Sequence, residues 1–250
     1  MALAGPKTLL IDIETTPLLA HVWAIWEQNI GINQIMESTE VFCFAAKWLG
    51  QKRVPFYSVQ NDGKERMIQA AYDLLDEADV VVHYNGRRFD VPHLNREFML
   101  AGMTPPAPFK QVDLLQEVKR NFKFPSNKLA YVSKAIGLEG KVKHEGHELW
   151  TRCMAGDRRA WATMRRYNIQ DVQLLEEVYD RLVGWLRLPT HSLYSGKDHT
   201  CPACGSEELE RRGFSYTKVS AYQQYRCKDC GRYSRGKKAE RTIEQREVPA

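Results

Sequence analysis

The sequence predicts a mixed α/β fold, a sheet flanked by helices, followed by a small cysteine-bound domain. Three observations lead there. Short apolar runs rich in β-type residues alternate with stretches of helical period as far as Leu186. The early strands sit close enough for an antiparallel hairpin, whereas the later one is followed by a helix and calls for a crossover. Beyond residue 200 the character changes, and four of the six cysteines fall there, as Cys201, Cys204, Cys227 and Cys230.

The first strand is read from Leu9 to Pro17, Leu-Leu-Ile-Asp-Ile-Glu-Thr-Thr-Pro. Leu9, Leu10, Ile11 and Ile13 suit a strand buried on both faces. Asp12 and Glu14 are two positions apart, so both carboxylates point to one face. Paired like charges in a buried strand are costly unless compensated, and a divalent cation such as Mg²⁺ or Mn²⁺ compensates two hard oxygen ligands well. The plainer reading ends the strand at Asp12 and leaves the acids in a solvated turn before Pro17. Residues 18–40, rich in Trp, Ile and Asn, show no strong period and read as an irregular segment or short helix near that site.

Val41–Leu49 and Arg53–Val59 read as the second and third strands, joined through Gly50-Gln51-Lys52 into a hairpin beside the first. Lys64–Glu77 spaces Met67, Ile68, Ala71, Leu74 and Leu75 at helical intervals. Asp79–His83 is a fourth buried strand, ending in Tyr84-Asn85-Gly86. Asp90–Ala101 reads as a helix with Leu94, Phe98 and Met99 on one face. After a Pro-rich loop come Val112-Asp113 and a helix Leu114–Arg120, with Asp113 as its cap or a spare acid. Ser126 is expected to cap Asn127–Ile136, which Gly137 stops. Asp157–Leu186 is a long amphipathic helix through Trp161, Met164, Ile169, Val172, Leu175, Val178, Leu182 and Trp185. Pro189 closes it, and the polar stretch 187–200 reads as a domain linker.

Composition bounds the function. Hydrophobic content of 43% and charged content of 27% are those of a soluble globular protein. No apolar run is long enough for a membrane span, and no signal-peptide layout is present, so a cytoplasmic location is expected (host cytoplasm if phage-encoded). The net charge of +5 is uneven: residues 201–250 hold 11 Lys and Arg against 7 Asp and Glu. A basic tail fits a polyanion partner.

Two further acidic elements join the first strand. His83-Tyr84-Asn85-Gly86-Arg87-Arg88-Phe89-Asp90 follows a strand and opens a helix; alone, Asp90 is most simply an N-cap. Arg166-Tyr167-Asn168-Ile169-Gln170-Asp171 puts Tyr167 and Asp171 on one helix face; alone, it is an ordinary solvated face.

Together, Asp12-x-Glu14, Asn85-x-x-x-Phe89-Asp90 and Tyr167-x-x-x-Asp171 resemble the DEDD (DnaQ-like) superfamily of 3′–5′ exonucleases on the ribonuclease-H-like fold. The resemblance covers about residues 7–186. The Tyr form marks the DEDDy branch, since the His of the DEDDh branch would stand where Arg166 is. The Trp-rich segment, Lys47-Trp48 and Ser126-Asn127-Lys128-Leu129 look like phage and bacterial stand-alone members related to family B polymerase proofreading domains. The resemblance implies two Mg²⁺ or Mn²⁺ held by Asp12, Glu14, Asp90 and Asp171. It implies Tyr167 orienting the attacking water or the scissile phosphate, and Asn85 and Phe89 contacting the terminal nucleotide. Phe89 is equally suited to a core role.

In the tail, Cys201-Pro-Ala-Cys204-Gly and Cys227-Lys-Asp-Cys230-Gly are knuckles 22 residues apart, a spacing that suits one structural, tetrahedral Zn²⁺. Arg211–Tyr216 and Val219–Arg226 alternate as ribbon strands. This resembles zinc ribbons appended to nucleic-acid enzymes. Lys218, Tyr222 and Arg226 stand for its interleaved bases and rings, the composition of a single-strand binder. From Lys237 the chain is expected to be charged and mobile.

The expected organisation is an exonuclease domain over 1–188, then 189–250 as linker, zinc ribbon (about 200–236) and charged tail. Single-stranded DNA is the expected substrate, and any proofreading would need a separate replication or repair protein, with no membrane partner. The alternatives are an RNA exonuclease or structure-specific endonuclease on the same fold, or a non-catalytic adaptor for nucleic acid or protein.

Overall fold

The computed structural model describes residues 6–138, 146–187, 197 and 199–244. Contacts divide the chain into Lys7–Tyr179 and a second unit that includes Asp180–Ala250. Among the described residues no helix is long and apolar enough to cross a membrane.

In the first unit, β1 (Thr8–Thr15) is followed by a small antiparallel pair, β2 (Leu19–Ala20) and β3 (Ile35–Glu37). Then come β4 (Val41–Trp48), β5 (Phe56–Ser58), α1 (Val59–Asp62), α2 (Lys64–Glu77), β6 (Val80–His83) and α3 (Asp90–Leu100). The run closes with β7 (Lys110–Asp113), α4 (Leu114–Asn121), α5 (Leu129–Ala135), α6 (His147–Met154) and α7 (Arg158–Leu182). Five strands form one mixed sheet in the order β5-β4-β1-β6-β7. The β5-β4-β1 half is antiparallel, and β1, β6 and β7 run parallel. This is the mixed, helix-flanked sheet that the sequence predicts.

Central β1 is covered on both sides, which is why its run is apolar almost throughout. Leu9, Ile11 and Ile13 pack with Met67, Ile68, Ala71 and Leu75 of α2 and with Leu94 and Phe98 of α3. On the other side, Phe42 and Cys43 of β4 pack with Leu149 and Cys153 of α6 and with Trp161, Met164 and Tyr167 of α7. Alternation along β1 therefore turns Asp12 and Glu14 away from the α2–α3 core.

Several expectations need correction. Residues 18–40 form no α-helix, and the irregular reading holds apart from the β2–β3 pair and one 3₁₀ turn, Ile32–Gln34. Their apolar side chains are not core, for Trp23 is 96% and Trp26 82% exposed. The third strand is only Phe56–Ser58, because Ser58 accepts from the Asn61 amide and starts α1. Met99 is exposed, and its neighbour Glu97 is buried instead, paired with Arg96 and Lys64. The face of α3 thus includes an acid that its charge disguises. Ser126 does not cap a helix starting at Asn127; it accepts from the Lys128 amide, and α5 begins at Leu129. Helix α6 went unanticipated. Helix α7 ends at Leu182, and Trp185 beyond it is exposed. Most of the expected linker, with Pro189, lies outside the described residues.

The second unit carries a three-stranded antiparallel sheet, β8 (Leu209–Tyr216), β9 (Ser220–Cys227) and β10 (Tyr233–Thr242), in the order β10-β9-β8. The expected mobility from Lys237 is thereby corrected as far as Thr242: Ala239, Arg241 and Thr242 pair with Tyr222, Ala221 and Ser220. Charge alone disguised that strand.

Candidate active site

β6 and β7 end together at His83 and Asp113, while β1 runs on to Thr15, and the acids gather at these carboxyl ends, the usual position of a site in an open α/β sheet. Strand β1 brings Asp12 and Glu14. Its register with β6 runs from Thr8↔Val80 to Leu10↔Val82. Past that point β1 has no neighbour on the β6 side, and the amide of Ile13 donates to Asp90 Oδ1 at 3.0 Å. Asp90 therefore does not cap its own helix, where Phe89 holds the N-cap position. Its side chain substitutes for a missing strand, bonding β1 at the residue between the two acids.

The loop from β6 to α3 is fixed from below by Asp113. Its Oδ1 accepts from the amides of Asn85 at 2.9 Å and Leu115 at 3.1 Å, so it caps α4 and ties down the loop. Asn85 takes a positive φ of 72°, which the short amide side chain tolerates. His83 is fully buried beneath, with Nε2 3.1 Å from Gln111 Oε1. A Cβ on Gly86 would come within 2.4 Å of His83 Cγ, so only glycine lets the loop cross that ring. Phe89 is half-exposed, edge-on to His93 at 4.7 Å, which removes it from the core.

Helix α7 completes the site. Tyr167 and Asp171 face the sheet, 8% and 3% exposed. The Tyr167 hydroxyl donates to the Asp171 carboxylate; burial pushes its pKa far up, and the charges of Glu14, Asp171 and Asp12 push it further. The phenol thus feels three of the acids at once. Asn168 is fully buried, and its Nδ2 donates to Asp12 Oδ2 at 2.7 Å and to the Asp12 carbonyl at 3.2 Å. Sequence reasoning passed over Asn168, since nothing local distinguishes it from any helical asparagine. Cys43, opposite Glu14 on β4, has its thiol held protonated by burial and by Glu14 and Asp12.

Asp90 has a strongly perturbed carboxyl. Burial pushes its pKa up to about 7, against the opposing hydrogen bonds from the Ile13 amide and its own, and Asp113 adds to the rise. A buried acid among acids, with hard oxygens converging and little cationic protein charge nearby, is the donor chemistry that suits Mg²⁺ or Mn²⁺. The four acids are spread more widely than a single tight ligand cluster. Among the described residues, only the four cysteines bring three or more candidate ligand atoms all within 4.8 Å of one another.

Those cysteines sit in two equivalent knuckles. Gly205 N–H donates to the Cys201 carbonyl and Gly231 N–H to the Cys227 carbonyl, with φ of 78° and 74° at the glycines. The sulfurs of Cys201 and Cys230 lie 3.6 Å apart, and those of Cys204 and Cys227 3.7 Å. A tetrahedron with Zn–S of about 2.3 Å has edges of about 3.8 Å, so the cluster fits zinc. Of the expected nucleic-acid contacts on this unit, Lys218 is exposed at the β8–β9 turn. The Tyr222 ring lies 4.3 Å under the Arg235 guanidinium, and Arg226 pairs with Glu210.

Comparison with known proteins agrees with this architecture. A family model described as the RNase_H superfamily matches residues 9–183. No curated protein matches the chain by sequence. Among solved structures, the chain is similar to the family B DNA polymerase from the hyperthermophilic archaeon Pyrobaculum calidifontis, with a TM-score of 0.56 at 18% identity. The match covers 86% of this chain and 31% of the polymerase, so the likeness is one of fold over less than a third of that protein.

Proposed function

The chain belongs to the RNase_H superfamily, and from that premise we propose that it is a metal-dependent 3′–5′ exonuclease of the DEDDy type, hydrolysing single-stranded DNA. The observation that carries this reading is the convergence of Asp12, Glu14 and Asp171 on the Tyr167 hydroxyl, with Asp90 bonded to the strand between the first two. A binding module has no use for four costly carboxylates gathered in this way.

Two divalent cations held by Asp12, Glu14, Asp90 and Asp171 would supply a hydroxide nucleophile and neutralise charge on the attacking and leaving oxygens. The chain's own groups do the rest. Asn168 holds Asp12 in one rotamer, and Ile13 N–H holds Asp90. Tyr167 stays protonated at any working pH, so it donates a hydrogen bond that orients water or phosphate and does not act as a base. Asn85 and Phe89 receive the terminal nucleotide, by hydrogen bond and by stacking. The four thiolates hold a structural zinc, and the ribbon's bases and rings, among them Lys218, Tyr222 and Arg226, help to retain the strand. We assign 1–188 to the nuclease domain and 189–250 to linker, ribbon and tail. A replication or repair protein is the partner proposed for such a nuclease.

The test is a time course on 3′- and 5′-labelled single strands of DNA and RNA, with Mg²⁺, with Mn²⁺ and with neither. Early loss of the 3′ label and a descending ladder from the 5′-labelled strand, only with cation, are expected. Asp12→Ala and Asp171→Ala should abolish both while circular dichroism stays unchanged. Activity surviving in either variant would sink the reading, and binding without cleavage under every cation would favour an adaptor.

A further inference from the structure

We infer that the outer face of α7 is a docking track for the phosphodiester backbone of a single DNA strand on its way to the crevice; this rests on the exonuclease reading. Arg158, Arg159, Arg165 and Arg166 are all exposed on the amino-terminal half of the helix. Arg159, Ala162, Thr163, Arg165, Arg166 and Ile169 line an open cavity of about 560 Å³. Three guanidinium groups over an apolar floor suit a polyanion with bases attached.

The placement of these charges speaks against mere solubility. Cations in the first turn of a helix oppose its dipole, and α7 has no acid there to offset Arg158 and Arg159. The preceding acid, Asp157, is already engaged by Arg152 and by the amides of Arg159 and Ala160. Among the described residues, none of the four arginines has a carboxylate within ion-pair reach, and the nearby Arg152 takes Asp157. A cluster of uncompensated guanidinium groups lowers its energy by meeting phosphate.

The track also leads somewhere. Arg159, Thr163, Arg166 and Gln170 follow at spacings of four, three and four, one continuous stripe along a helix. Beside it runs the stripe of Tyr167 and Asp171. Arg166 is held over the turn below by a 3.3 Å hydrogen bond to Thr163 Oγ1, which directs its guanidinium along the stripe. From Arg159 to Asp171 the helix rises about 18 Å, enough to span several nucleotides. The crevice holds the end of the strand, and this face holds the strand behind it.

The test is the full chain carrying Arg159→Gln, Arg165→Gln and Arg166→Gln together, all at exposed positions, compared with wild type. Binding of a labelled 20-nucleotide single-stranded DNA is measured between about 50 and 300 mM salt, without added divalent cation. Loss of about three phosphate contacts should lower the slope of log K against log salt by about 2, with at least a tenfold loss of affinity near 100 mM. Cleavage of a dinucleotide, too short to reach the track, should keep its kcat and KM, while KM on the long strand rises. Unchanged affinity and slope, with the wild type binding and cutting DNA, would overturn the track and leave the exonuclease standing. Equal loss on dinucleotide and long strand would also overturn it, since that marks a damaged crevice. A wild type that neither binds nor cuts any strand would instead remove the enzyme reading, and the track with it.

Discussion

Asp90→Asn should make the cation-free protein more stable, by an amount that depends on pH. The Asp90 carboxyl is buried to 3% exposure, and its pKa rises from 3.8 to about 7 on folding. The unfolded chain therefore ionises before the folded one, and stability falls as pH climbs from about 4 to about 7. Three pH units at 1.36 kcal/mol each make this cost about 4 kcal/mol above pH 7. Asparagine has nearly the same shape, and its Oδ1 can still accept from Ile13 N–H, but it never ionises. Wild type and variant, both zinc-loaded and in buffer without Mg²⁺ or Mn²⁺, should have similar urea midpoints at pH 4. The gap should open through pH 5 and 6 and level off by pH 8, where the thermal midpoint of the variant lies about 10 °C higher. Added Mn²⁺ should close it by stabilising only the wild type. Equal midpoints at pH 8, or a gap that does not vary with pH, would refute the claim that Asp90 is an ionisable group held at an electrostatic cost.

Three further outcomes follow from the same geometry. Asn168→Leu keeps the volume but removes both hydrogen bonds to Asp12, so Mn²⁺ affinity by calorimetry should fall 10- to 100-fold with far-UV circular dichroism unchanged; undiminished affinity would show that Asp12 needs no tether. Gly86→Ala drives a Cβ to 2.4 Å from the His83 ring, costing about 1–3 kcal/mol in urea unfolding, and wild-type stability would mean that the loop has room to shift. Cys204→Ser should abolish stoichiometric zinc by elemental analysis and strip amide-exchange protection from 209–242 while 41–48 stays protected; retained zinc would sink the four-thiol assignment.

What could be read from the sequence was whatever has a short period. β1, β4, α2 and β6 lie where their apolar runs put them, and the paired knuckles announce themselves by spacing. The acids of β1 could be paired on one face from alternation alone. Features set by distant contacts could not. Asn168 meets Asp12 across 156 positions of sequence, and Glu97 is buried because Arg96 and Lys64 come to it. Charge misled in both directions: it disguised a buried acid on α3, and it made the strand at Lys237–Thr242 look like a loose tail. Residues 18–40 showed no strong period, and no local pattern told the β2–β3 pair from a short helix there.

The position of the crevice follows from the sheet itself. At the carboxyl end of β1 the ladder toward β6 stops, leaving a backbone donor, Ile13 N–H, that must find an acceptor. Asp90 meets that need, and at the end of β7 Asp113 does the same for the amides of Asn85 and Leu115. A carboxylate that accepts structural amides is partly compensated before any cation arrives, so the fold can tolerate it in a buried place. The compensation is incomplete at Asp90, which keeps a raised pKa despite its bonds to the Ile13 amide and its own. That remainder is what a divalent cation would relieve. The residue that closes the gap in the sheet is thus also one that gains from binding metal, and structural need and chemical readiness meet in one side chain.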